Sequence, residues 1–464
     1  MRLAWIATLV LAAAGAAGAS IHSQPPRGGD VDVSNLPGPQ TNATIAVDPR
    51  DADVLLAGSN SVLEGTQRIY TSADGGTTWQ TSTTIPAGAD IDGSCPSDPG
   101  VAIDLGGRQY YSYDEATPCN AQGTSHVYVL ARSGPRADWS GPILVAPLGR
   151  ARFDDKPAIA VDTSPVSPHR NRVYVAWTRV ARNTSSSIVL SRSDDGGRHW
   201  SAPVTVPRQA GDDLTYASVA VARNGTVYVA WTDQSRYQVR IARSVDGGRH
   251  FVSEVDVASF SIIPIPHCGI GIVVRAEPRS CIQANPTVSV DTSRGRYSGR
   301  VYVSYTGTNF TGDEGAALTT FDSRLHPIAG YPLLRGNHRL VAQSPGPARS
   351  DQFWGQSAVD RTTGALWMCF YDTTGDPTGK SARYTCTVSR DGGHTWSRRV
   401  PVASVFSDET QPGAAYEYGY YQGVAAAGGV GHPIWTDTRQ LRTLGEEIYT
   451  ARVAEADLPA PAVR

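Results

Sequence analysis

The sequence predicts an all-β protein folded as one ring of seven four-stranded sheets, a β-propeller, with six blades as the alternative count. Three observations predict it. An eight-residue box recurs four times: S-A-D-G-G-T-T-W (72–79), S-D-D-G-G-R-H-W (193–200), S-V-D-G-G-R-H-F (244–251) and S-R-D-G-G-H-T-W (389–396). Runs of small apolar residues recur seven times, ending at Asp48, Asp104, Asp162, Ala222, Asp291, Asp360 and Ala427, at spacings of 56 to 69 residues. Each is followed by a second strand-like run, rich in aromatic and branched residues in most repeats (Q-Y-Y-S-Y, V-Y-V-A-W twice, V-Y-V-S-Y, L-W-M-C-F). A unit of short strands repeated at this period is what a propeller needs.

The elements follow in order. Residues 1–19 read as a secretory signal: Arg2, an apolar run over 3–14 and an A-G-A cleavage site at 17–19. The apolar run is short for a membrane span, so the mature chain is expected outside the cytoplasm, without a transmembrane segment. Residues 20–41 read as a Pro- and Gly-rich leader, and residues 42–464 as the propeller. In each blade the first strand carries Ala and Val because innermost strands converge on the axis; the outer strands have room for Trp and Tyr. Each box follows a β-type run and turns the third strand into the fourth. Its Asp accepts backbone N–H bonds within the turn, its Gly residues supply positive φ, and its closing aromatic anchors the turn. Asp74, Asp195, Asp246 and Asp391 are therefore expected to be structural. The second repeat keeps a relic of the box over 133–139, and the fifth and seventh have none. The chain ends in L-P-A-P-A-V-R, a poor strand because Pro cannot donate to a ladder. The D-V-D-V-S run at 30–34 is therefore expected to supply the last strand and close the ring.

Charge is balanced, 41 basic against 43 acidic residues, which argues against nucleic-acid and anionic-membrane partners. Among the basic residues only Lys156 and Lys380 are lysines, a bias that fits a G+C-rich bacterial source. Six cysteines suit an oxidising compartment, with local pairings Cys95–Cys119, Cys268–Cys281 and Cys369–Cys386 expected. No C-x-x-C or H-E-x-x-H occurs, so no metal or cofactor is expected; Asp90-Ile91-Asp92-Gly93 starts like a calcium loop but lacks its last acidic ligand.

The box resembles the Asp-box, or bacterial neuraminidase repeat, of sialidases and related propellers, and the resemblance covers nearly the whole mature chain. It implies a secreted, monomeric protein directed at an extracellular glycan or glycoconjugate. Its specific form is an exo-glycosidase of the exo-α-sialidase type; the alternative is a non-catalytic propeller that binds glycan or protein through its loop face. That face carries the loops entering each first strand, opposite the boxes. These loops hold Asp98; Arg152, Asp154, Asp155 and Lys156; Arg349, Asp351 and Trp354; and Glu409, Glu417, Tyr418, Tyr420 and Tyr421. Arg439 lies on the second loop set of the same face. A sialidase grips the sugar carboxylate with three arginines, for which the resemblance implies Arg152, Arg349 and Arg439, with Asp351 and Trp354 beside them. It implies Tyr418 or Tyr420 with Glu417 as nucleophile and base, and Asp154 or Asp155 as acid. The departures are the seventh blade, where catalytic sialidases have six, and the missing Arg-Ile-Pro signature. The same residues also have a structural reading: aspartates capping turns, arginines bridging blades, tyrosines packing a seam.

Overall fold

The seven small-residue runs form the first strands of seven antiparallel sheets in the computed structural model. The structure describes residues 29–82, 85, 95–118, 123–182, 184–206, 213–260, 273–279, 282–308, 314–328, 339–340, 350–414 and 418–460. The first strands are Gln40–Val47, Cys95–Ile103, Ala151–Val161, Leu214–Val221, Thr287–Val290, Gln352–Val359 and Gly423–Ala427. Each packs against the first strands of the blades on either side, and the seventh returns to the first, so the sheets close into a ring. Six sheets have four strands in chain order.

The seventh sheet is completed from the other end of the chain. Asp30–Asp32 pairs with Glu447–Ala451, in the register Asp30↔Ala451 and Asp32↔Tyr449. The expected run at 30–34 thus forms a three-residue strand, extended by Val33 N donating to Ile448 O at 2.7 Å. A two-residue piece, Val453–Ala454, also pairs with Val430 and Gly431, giving this sheet a fifth strand.

Second strands supply the bulk between blades. Trp177, Trp231, Trp367 and Trp435 come from four of them and are fully buried. Each such side chain stabilises the fold by about 1.5–3 kcal/mol relative to an exposed one. Cys369 and Cys386 face each other across one hairpin, at a Cα–Cα distance of 4.1 Å, and form a disulfide. Cys95 is also disulfide-bonded, while Cys119, Cys268 and Cys281 lie outside the described residues.

The boxes lock neighbouring blades. In the third blade Asp195 Oδ1 accepts from the backbone N–H of Arg198 and His199 at 3.1 and 3.0 Å, and Ser193 Oγ accepts from Gly197 N at 2.9 Å. The boxes of Asp74, Asp246 and Asp391 repeat this pattern. These bonds hold all four carboxyls below the usual range, the hydrogen bonds outweighing burial. Both glycines of each box have positive φ. The aromatics then join clusters shared with the preceding blade: Trp200 the one that holds Tyr110 and Val129, Phe251 the one that holds Tyr174, and Trp396 the one that holds Tyr302. Chain direction puts the boxes on the face where first strands end.

Candidate active site at the axial mouth

The first strands enclose an axial cavity of about 230 Å³ lined by all seven blades. At its other end, where these strands begin, one position recurs around the ring. The residue six before the end of each small-residue run is Asn42, Asp98, Lys156, Tyr216, Asn285, Trp354 or Tyr421. The first six have positive φ, between 23° and 57°. In five of them the strand pairing slips by a bulge at this point. A bulge re-aims a side chain. The position can therefore carry polar and aromatic groups around a mouth whose strands are otherwise built of small residues.

A second column faces the first. The residue following the aromatic-rich run in each blade is Ser59, Asp114, Thr178, Thr232, Thr306, Tyr371 or Thr436, all buried. Six carry hydroxyls; the second blade alone has a carboxylate. In the fifth blade this hydroxyl, Thr306 Oγ1, accepts from Trp354 N of the next blade at 2.9 Å. In the second blade the same position brings Asp114 beside the third.

Asp98, Asp114 and Asp155 each place a carboxylate oxygen within 4.8 Å of the others. Lys156 Nζ lies 2.8 Å from Asp155 and 3.9 Å from Asp98. It also lies 5.5 Å from the centre of the Tyr216 ring. Asn42 Nδ2 donates to Asp98 at 3.0 Å, and Ser97 and Ser125 donate to Asp114 Oδ2 at 3.1 and 3.3 Å. Burial pushes the Asp98 carboxyl up to about 6, against the pull of Lys156. Burial and the neighbouring Asp98 and Asp155 push Asp114 well above the carboxylate range. For Lys156, burial opposes the charge, but Asp155, Asp98 and Tyr216 outweigh it and hold the ammonium well above its ordinary value. The result is three carboxyl groups gathered around one ammonium, with Asp98 and Asp114 held above the ordinary carboxylate range.

A strap crosses this mouth. Tyr420 N donates to Asn42 Oδ1 at 2.7 Å, and Tyr420 O accepts from Asn285 Nδ2 at 2.6 Å, joining blades on different sides of the ring. Gly419 has φ +73° and lies so close to Asn42 that a Cβ would overlap it. The Tyr420 ring, 38 % exposed, packs edge-on to Trp354 at 6.1 Å and lies 6.4 Å from Tyr216.

The expected site residues divide. Asp155 and Tyr420 come together here, and Trp354 stands in the ring wall, buried, its Nε1 donating to Glu277. Asp154 points the other way along its strand, is fully buried, and accepts from Arg179 Nε and Nη2, each at 2.7 Å. Tyr418 is fully buried against Phe353 and Tyr371, its hydroxyl donating to Ser407 O at 2.9 Å, which gives it a packing role. Arg439 grips Asp437 and Asp30 and lies over Tyr449 at 3.9 Å, pinning the ring-closing strand. Arg152 is exposed at the start of the third blade, and Asp351 hydrogen-bonds Thr373 through its backbone. Arg349, Glu417, Asp90 and Asp92 lie outside the described residues. Among the described residues no three arginines meet at this mouth; Arg179, Arg240, Arg399 and Arg439 each pair with an acid of their own blade.

The fold is thus that of a seven-bladed β-propeller. No family model and no curated protein sequence matches the chain. Among solved structures it is similar to a Hadza microbial sialidase, at 14% identity over 87% of this chain and 74% of that one, with a TM-score of 0.48. It is also similar to an intramolecular trans-sialidase from Ruminococcus gnavus, at 11% identity over 93% and 97% of the two chains, TM-score 0.48. An ulvan lyase of polysaccharide lyase family PL25 aligns at 15% identity over 75% and 80%, TM-score 0.43.

Proposed function

We propose that this chain is an exported, glycan-directed propeller, and that its best specific form is a glycoside hydrolase working at the axial mouth. One observation carries the reading: carboxylates from two neighbouring blades gather around a single ammonium under a wall of tyrosine and tryptophan. Asp98, with its carboxyl near 6, is suited to hold the proton that a leaving sugar oxygen takes. Asp155, paired with Lys156 and the more exposed of the two, is suited to act as base or nucleophile. Carboxylates this close leave little room for a water between them, which favours the double-displacement route with retention. The Tyr420 ring offers an apolar face on which a sugar can stack. The disulfide fits export to an oxidising compartment.

The sialidase form is the narrower proposal, because it needs an arginine grip to which Arg439, committed to Asp437 and Asp30, does not contribute. The pairing of arginines within their own blades favours the second reading, a propeller that binds glycan without cleaving it. The test is turnover of a panel of aryl glycosides, a fluorogenic sialoside included, and of acidic and neutral polysaccharides. Turnover lost in both Asp98→Asn and Asp155→Asn supports the hydrolase. No turnover of any substrate, with glycan-array binding intact, moves the assignment to the binding module.

A further inference from the structure

The axis has a second mouth, on the box face, with a different lining. A pocket of about 250 Å³ opens there between the residues that immediately follow four first strands. Its lining is Thr163, Ser164, Pro165, Arg223, Thr292, Arg294, Arg361 and Thr362. Three arginines and four hydroxyl-bearing residues line the space, and no acidic residue does. Arg361 reaches across the mouth, donating to Pro49 O of the first blade at 3.2 Å and to Thr163 O of the third at 3.3 Å. That span fixes it near the axis. The Arg223 and Arg294 side chains have no acid partner among the described residues, whereas Arg179, Arg240, Arg399 and Arg439 of the opposite face have one.

Asp360 and Asp48 act on Arg361 through space, but none of the nearby aspartates forms an ion pair with these three arginines among the described residues. Asp162, Asp291 and Asp360 end the adjacent runs, and their carboxylates are taken up by backbone and hydroxyl groups, for Asp360 partly from the seventh blade. Asp162 accepts from Ser164 N and Ser167 Oγ, Asp291 from Ser293 N, and Asp360 from the N–H groups of Thr362, Thr363 and Gly429. Three arginines brought together without carboxylates repel one another. A concave site lined by guanidiniums and threonine hydroxyls matches an oxyanion, because the guanidinium fork bonds two oxygens of a phosphate or sulfate at once.

We propose that this second mouth is a binding site for a small multivalent oxyanion, a phosphate or sulfate either free or carried as an ester on a small organic molecule. It is independent of the chemistry at the opposite mouth. The experiment is isothermal titration of the full chain with pyrophosphate, inorganic phosphate and sulfate, and with glucose 6-phosphate and glucose 6-sulfate as the ester arm, at constant ionic strength set with chloride. Saturable binding is expected, weakened about tenfold by Arg223→Ala and further by the Arg223→Ala/Arg294→Ala pair, because each removes a charge-assisted bond. Tighter binding of the sugar esters than of the free anions assigns the organic source; the reverse assigns the free ion. Arg361→Lys keeps a charge without the fork, and is expected to weaken binding while the thermal transition of the unliganded protein stays within a few degrees. No saturable heat with any of these anions, or equal binding by the double variant, overturns the site.

Discussion

The two mouths of the axis are built from the same strands and carry opposite chemistry. At the entry end, side chains re-aimed by bulges place carboxylates, one ammonium and aromatic rings around a strapped opening. At the exit end, tight turns hold their aspartates in backbone bonds and leave arginines facing the space. The difference lies in how polar groups are compensated. Entry-end charges compensate one another, so removing one unbalances the rest. At the exit end Arg361 is held by two backbone carbonyls, while Arg223 and Arg294 have no acid partner among the described residues.

The largest expected effect follows at the entry end. Lys156→Ala leaves three clustered carboxylates without a cation, and about 3–5 kcal/mol of stability should be lost, read as a fall in the denaturant midpoint. Adding Asp155→Asn to that variant should restore part of it; no recovery would remove the charge argument. Next comes a pair of arginines. Arg439→Ala strips the buried Asp437 of its partner and should cost about 3 kcal/mol. Arg223→Ala should stay within about 0.5 kcal/mol, having no such partner. Similar losses in both would erase the distinction between compensated and uncompensated arginines.

A smaller effect tests the box turns that frame the exit face. Gly248 has φ +81°, and a Cβ there would stand 3.0 Å from Leu190 Cδ2 and 3.2 Å from Tyr174 Cε1. Gly248→Ala should cost about 1–3 kcal/mol, seen as a lower thermal midpoint with the fold retained. The smallest effect is in pH dependence. The folded Asp98 carboxyl sits near 6 against an ordinary 3.8, so its contribution is fully present below 3.8 and is lost as pH rises through 6. The wild-type thermal midpoint should therefore carry a downward component across that window, which Asp98→Asn removes. Superimposable pH profiles for the two proteins would mean that Asp98 does not hold the proton.

Much of this architecture was legible in the residues. The seven runs, the boxes and the strandless C-terminus led to the blade number, the box turns and the ring-closing strand, because each follows from local turn chemistry or repetition. The site was legible only in part. Asp155 and Tyr420, expected from their loops, come together at this mouth, but Asp154 and Asp155 could not be told apart without the register that turns one toward Arg179 and the other toward the axis. The constant offset of six residues was present in the sequence and marks the whole ring. What concealed its meaning is the positive φ, which no residue type from Asn to Trp announces. Asp114 was visible as the one acid in a column of hydroxyls. Arg439 is expected in a ligand grip from its loop alone; the structure adds that the aspartate two residues before it accepts from its guanidinium.

The strand at Asp30–Asp32 has a consequence for biogenesis. Its partner, Glu447–Ala451, follows all six other blades in the sequence, so the circle cannot be sealed until every one of them has been made. Until then the seventh sheet keeps the bare edge of Glu447–Ala451, able to pair with the Asp30–Asp32 strand of another copy, and which copy supplies that strand separates a closed monomer from a domain-swapped assembly.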